Sequence, residues 1–149
     1  MSTPMAFPQR LRPPRLATVS AVCVASTVRL ALVALRFDHV MSAARWLAGT
    51  TRRTASLEEV EGVLEAVDDA ARWVPVRLAC MERSLTAVVL LAARRQGVTW
   101  RMGVRTPPLA AHAWLADAFN NPIGEPPSAA TYQPLITISA PPTRTRSMT

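Results

Sequence analysis

No lysine occurs in this chain; all seventeen basic residues are arginine, against ten acidic residues, for a net charge of +7. Together with abundant Ala, Val and Pro, that bias reads as the imprint of a GC-rich coding sequence. The arginines are spread along the chain rather than gathered on one face, and aromatic residues make up only 5% of it. Base stacking and phosphate binding need both features, so nucleic acid is not an expected partner. An acidic peptide or protein suits the charge equally well. Cysteine is scarce: Cys23 and Cys80 alone. Two distant cysteines make no disulfide framework, and no CxxC or Cys/His cluster points to zinc. Reduced thiols in a cytoplasm are the expectation, with no metal and no cofactor. Glycine is rare, with five residues, and internal repeats are absent.

What is present is enough apolar material for a core. Half of the 149 residues are hydrophobic, which fits one folded domain. Residues 1–15, with four prolines and three arginines, read as a flexible arm, and residues 141–149 as a polar, disordered tail. A single domain is expected between them, over residues 16–140. Residues 16–36 are apolar almost throughout. A signal peptide lacks a convincing cleavage site here. A membrane span would have to hold Arg29 at a cost of roughly 2.5–3.5 kcal/mol. The favoured expectation is a helix buried in the domain, with Cys23 as a small core residue.

Three more helices follow from periodicity and capping. Residues 37–48 place Val40, Ala44 and Leu47 on one stripe beside Phe37 and Met41, with His39 at the surface. In residues 56–72, Ser56 and Glu59 form a capping box and Val60, Val63, Leu64 and Val67 an apolar stripe. After an extended link at 74–78, residues 80–95 are helical again, with Cys80, Ser84, Ala87 and Leu91 on one face and Gly97 expected just past the end. This helix is apolar enough to be the central one.

Beyond Gly97 the period changes from helical to alternating. Residues 98–105 and 111–118 read as half-buried strands, the second with His112, Trp114, Ala116 and Ala118 on one face. Asn120-Asn121 marks a turn, residues 122–125 a short returning strand, and residues 132–138 a last strand. Helices followed by a small antiparallel sheet, with the helix that begins at Cys80 packed on it, is an α+β fold.

Cys80 at a helix start and His112 on a strand define the candidate chemistry. Free N–H groups and the helix dipole favour a thiolate at a helix N-terminus. Nucleophilic cysteine catalysis also requires an imidazole that accepts and returns the thiol proton, and an acid or amide that orients it. The helix N-terminus itself offers N–H donors to an oxyanion. Two carboxylates compete for the orienting role. Asp117 lies five residues from His112, on the opposite face of the expected strand. Glu125 lies beyond the Asn120-Asn121 turn, from which a hairpin could return it to His112. Spacing favours Glu125 and leaves Asp117 open.

The stretches Cys80-Met81-Glu82-Arg83-Ser84-Leu85, Arg94-Arg95-Gln96-Gly97-Val98, Gly103-Val104-Arg105, Ala111-His112-Ala113-Trp114 and Gly124-Glu125-Pro126-Pro127 resemble the leader peptidases of lasso-peptide biosynthesis. The likeness is to the stand-alone form, without a fused leader-recognition domain, and is strongest over residues 75–127. It implies a papain-like, transglutaminase-like domain with Cys80 as nucleophile, His112 as base and an acidic third member best matched by Glu125. It further implies hydrolysis of one peptide bond in a ribosomally made precursor, releasing its leader. A separate recognition protein would deliver that leader, and an ATP-dependent cyclase would close the ring. The chain departs from the family pattern in residues 115–121, about one residue longer than usual, and in Ala116, where the family carries an acid. Two other functions fit the same residues. One is a different acyl-transfer activity on this fold, an amidase or transglutaminase-like enzyme. The other is a non-catalytic adaptor held at a membrane by residues 16–36 and the arginine-rich arm, a contact that a peptidase could also make weakly.

Overall fold

The computed structural model describes residues 15–73 and 77–140. The expected arm and tail, and the first part of the extended link before Cys80, lie outside the described residues, apart from Arg15. Four helices come first: α1 (Arg15–Ala34), α2 (Phe37–Gly49), α3 (Leu57–Ala70) and α4 (Cys80–Ala93). Two short strands, β1 (Arg53–Thr54) and β2 (Gln96–Gly97), pair in parallel. The remaining strands are β3 (Thr99–Arg105), β4 (Ala110–Ala116), β5 (Pro122–Ile123) and β6 (Gln133–Ile138). They form an antiparallel sheet in the order β5-β4-β3-β6. The architecture is α+β, as the change of period at Gly97 implies.

α4 lies at the centre, in contact with the other three helices and with β2, β3 and β4. Its sequence explains this. Leu85, Ala87, Val88, Leu91 and Ala92 are all buried, so apolar residues cover more than one stripe of the helix. Leu91 is fully buried, and truncating such a side chain to alanine costs about 2–5 kcal/mol. One polar contact fixes the register of helix on sheet. The Trp100 indole of β3 donates to Ser84 Oγ at 2.9 Å, in the buried core. α3 adds Val60, Val63, Leu64 and Val67, the stripe its spacing predicts.

Three expectations are corrected. First, α1 is not a buried helix. Ala21, Ala25 and Val28 face α3 and α4, while Leu16, Val19, Leu30 and Val33 are exposed. Cys23 is exposed as well, because it lies on the face opposite Ala21 and Ala25. The helix is long and apolar enough to cross a membrane, yet only 17% of that window is buried. Its Arg29 pairs at 3.6 Å with Glu82 of α4, which ties it to the domain. Second, Gly97 does not end α4. The left-handed residue there is Arg95 (φ 58°), and Gly97 lies in β2, where a Cβ would collide with Ala140 Cβ and press on Thr51 Oγ1. It is glycine for close approach, not for a helix cap. Third, the alternation in residues 111–118 does not make a half-buried strand. β4 ends at Ala116, Ala118 is exposed, and Ala113 through Ala116 are all buried, because the strand lies between β3 and β5 and under α4.

Candidate functional site

Cys80 is the first residue of α4. Its N-cap is Ala79, in extended conformation (φ −70°, ψ 159°), which has no side chain able to accept a hydrogen bond. The Ala79 N–H is taken by Glu82 Oε2 at 2.9 Å, and the Arg83 N–H by the Ala79 carbonyl at 2.9 Å. The N–H groups of Cys80, Met81 and Glu82 lie between these two and bond to no acceptor among the described residues. Such groups carry the positive end of the helix dipole. Cys80 is half-buried against the core, and its thiol makes no hydrogen bond among the described residues.

His112 sits in the middle of β4, opposite Gly103 of β3. Aromatic rings wall its imidazole. Trp114 stacks at 5.9 Å between centroids and 15° between planes, and Tyr132 lies tilted at 5.2 Å. Arg105 covers the outer ring, with its guanidinium carbon 5.0 Å from the Tyr132 centroid. Trp114 is buried, and its indole N–H has no acceptor among the described residues.

Glu125 meets His112: Oε2 lies 2.9 Å from Nε2. Its other oxygen, Oε1, accepts from Arg83 Nη1 at 3.0 Å. A carboxylate already paired with a guanidinium acts as acceptor, so Nε2 donates to it, and in the neutral tautomer with this bond Nδ1 carries the lone pair. That ring can accept a proton at Nδ1 while the carboxylate stabilises the resulting imidazolium. The loop that delivers Glu125 turns at Gly124, whose φ of +64° favours glycine and where a Cβ would press on Leu64 of α3.

Asp117, the alternative acid, is engaged elsewhere. One oxygen accepts from the N–H groups of Phe119 and Asn121, both at 2.8 Å, and the other from Asn121 Nδ2 at 3.0 Å. These bonds, that of the Asn121 side chain first, hold its carboxyl below the usual range. Asp117 closes the turn in which Asn120 adopts φ 70°, and the same turn returns Glu125 to His112.

Arg83 has no role that the sequence alone assigns. Its Nε and Nη2 donate to the two oxygens of Asp68 of α3, at 2.6 and 2.9 Å, while Nη1 holds Glu125. The hydrogen bond with Asp68 is the main reason its pKa is raised. The available signal is an arginine one turn after Cys80, in a helix whose one other charged residue is Glu82. Tyr132 and Arg105 carry no such signal, because the approach of Tyr132 to His112, and of Arg105 to Tyr132, depends on how β6 and β3 are placed. Among the described residues, no cluster of three or more His, Cys, Asp or Glu side chains is arranged as a metal site.

A comparison with curated proteins finds no significant match, and neither does one with solved structures. Residues 22–137 match the family described as the transglutaminase-like superfamily, from within α1 to within β6. The chain therefore belongs to the transglutaminase-like superfamily, whose members generally work by cysteine-based catalysis.

Proposed function

We propose that this protein is a cysteine peptidase that removes the leader from a ribosomally made lasso precursor peptide. Cys80 is the nucleophile, His112 the base and Glu125 the acid that orients it. The observation that carries the reading is the 2.9 Å contact between His112 Nε2 and Glu125, with Cys80 as the first residue of α4. The quoted likeness of residues 75–127 to lasso leader peptidases supplies the substrate class.

In this reading His112 Nδ1 takes the Cys80 proton, and the thiolate attacks the scissile carbonyl. The oxyanion is held by the N–H of Cys80, pre-organised at the helix start. His112 then returns the proton to the leaving amine, and water releases the leader as a carboxylic acid. A cytoplasmic location, delivery by a separate leader-recognition protein and hand-over to an ATP-dependent cyclase belong to the same proposal. The family also contains acyl-transferases, and the product separates the two. Incubation with a precursor and its recognition protein should yield a leader and a core whose masses together equal the precursor plus one water. A crosslinked or aminolysed product would assign the chain to acyl transfer instead.

A further inference from the structure

We propose that Arg83 is the positioning residue of the site: anchored by Asp68, it holds Glu125 so that the second carboxylate oxygen faces His112. This rests on the reading of His112 as the base. Glu125 has little else to hold it. It follows the two-residue strand β5 and precedes a short 3-10 turn at Pro127–Thr131, so regular backbone pairing does not extend to it. Its side chain is only 9% exposed, and a buried carboxylate with an imidazole as its one partner would be poorly compensated. Arg83 supplies the missing partner from α4, one helical turn after Cys80. The same guanidinium thus ties the acid to the helix that carries the nucleophile.

The guanidinium is fixed at both ends. Two of its nitrogens grip Asp68 and a third grips Glu125, which uses the planar fork in a way that a lysine ammonium could not. The charges explain why Asp68 is needed. Asp68, Arg83 and Glu125 sum to one negative charge, the same as an isolated carboxylate. The imidazolium formed during reaction therefore still faces net negative charge, while Glu125 gains a fixed position. Without the guanidinium, two carboxylates would face one space and repel, and Glu125 would leave His112.

The chain has only two histidines, and His39 is exposed on α2, so nitrogen-15 imidazole spectra give a direct reading. The wild-type protein should show one ring N–H protected from water exchange, at His112 Nε2. Arg83→Gln should lose that protection. With a cleavable precursor, its kcat should fall on the order of 10²-fold, as for a misplaced catalytic group, with KM within about twofold. Arg83→Lys should recover part of the loss. In a Glu125→Gln background, Arg83→Gln should cost almost nothing further, because both changes break one linkage. Asp68→Asn, at a half-exposed position, should act in the same direction more weakly and serves if Arg83→Gln does not fold. A protected His112 N–H and unchanged kcat in Arg83→Gln or Asp68→Asn, with only a lower melting temperature, would make Arg83 a plain interhelical tie and overturn the proposal. So would additive losses in the double variant. If Arg83→Gln abolishes the protected N–H but the wild-type protein cleaves no precursor, the positioning role stands and the leader-peptidase reading fails.

Discussion

Helices α3 and α4 have the same length, fourteen residues, and both carry glutamate at their third position, yet their N-termini are finished differently. At α3, Ser56 Oγ accepts from the Glu59 N–H at 3.3 Å, and Glu59 Oε2 returns the bond to the Ser56 N–H at 2.8 Å. Glu59 also holds Arg53 and Gln96, and at this end only the N–H groups of Leu57 and Glu58 lack an acceptor among the described residues. At α4 only the glutamate half of that box exists. Ala79 replaces the serine, and the next three N–H groups have no acceptor among the described residues. A serine cap is worth about 1 kcal/mol over alanine. α4 forgoes that stabilisation at the very turn that begins with the cysteine, and its burial against three helices and the sheet compensates. One end carries the reciprocal cap, and the other lacks its serine half.

The comparison can be broken most severely at Cys80 and His112. Cys80→Ala and His112→Ala should each leave a folded protein whose precursor cleavage, read by mass spectrometry, drops by roughly 10³-fold or more. Retained cleavage by Cys80→Ala would remove α4 from the chemistry altogether. Next in size, Glu125→Ala should cost on the order of 10²-fold in kcat, whereas Asp117→Asn should stay within about twofold and chiefly loosen its turn. The reverse order would restore Asp117 as the orienting acid.

Closing the open end tests the contrast from the other side. Ala79→Ser should raise stability by about 1 kcal/mol in urea titrations. Cleavage should stay within about twofold, because the new hydroxyl would accept from the Glu82 N–H, as Ser56 does from Glu59, and leave the Cys80 N–H free. Ser56→Ala should mirror it, losing about 1 kcal/mol with cleavage unchanged. The smallest effect concerns pH. The hydrogen bond to Arg53 is the first cause holding the Glu59 carboxyl down at about 2, from an ordinary 4.5. A group with a lowered folded pKa stabilises the protein above its unfolded pKa and loses that contribution as pH falls through the folded one. Part of the acid destabilisation between pH 4.5 and 2 should therefore disappear in Glu59→Gln, read as melting temperature against pH.

Local features were legible in the residues themselves. The capping box at Ser56 and Glu59, the stripe of α3, the start of α4 at Cys80, the change of period after Gly97 and the turn at Asn120 all depend on partners within a few positions. Short-range geometry follows from the chain's own sterics and hydrogen bonding. The tertiary structure decided what lies across the molecule. It turned Cys23 outward by choosing which face of an evenly apolar helix meets α3 and α4, and made Gly97 a point of close approach rather than a helix stop. It placed Glu125 instead of Asp117 against His112. It also joined Arg83 to Glu125, forty-two residues away. Spacing along a strand could rank the two acids, but only the packing of the β5 loop on α3 and α4 could bring one of them to the imidazole. A charged side chain takes its partner from whichever elements the core packs beside it.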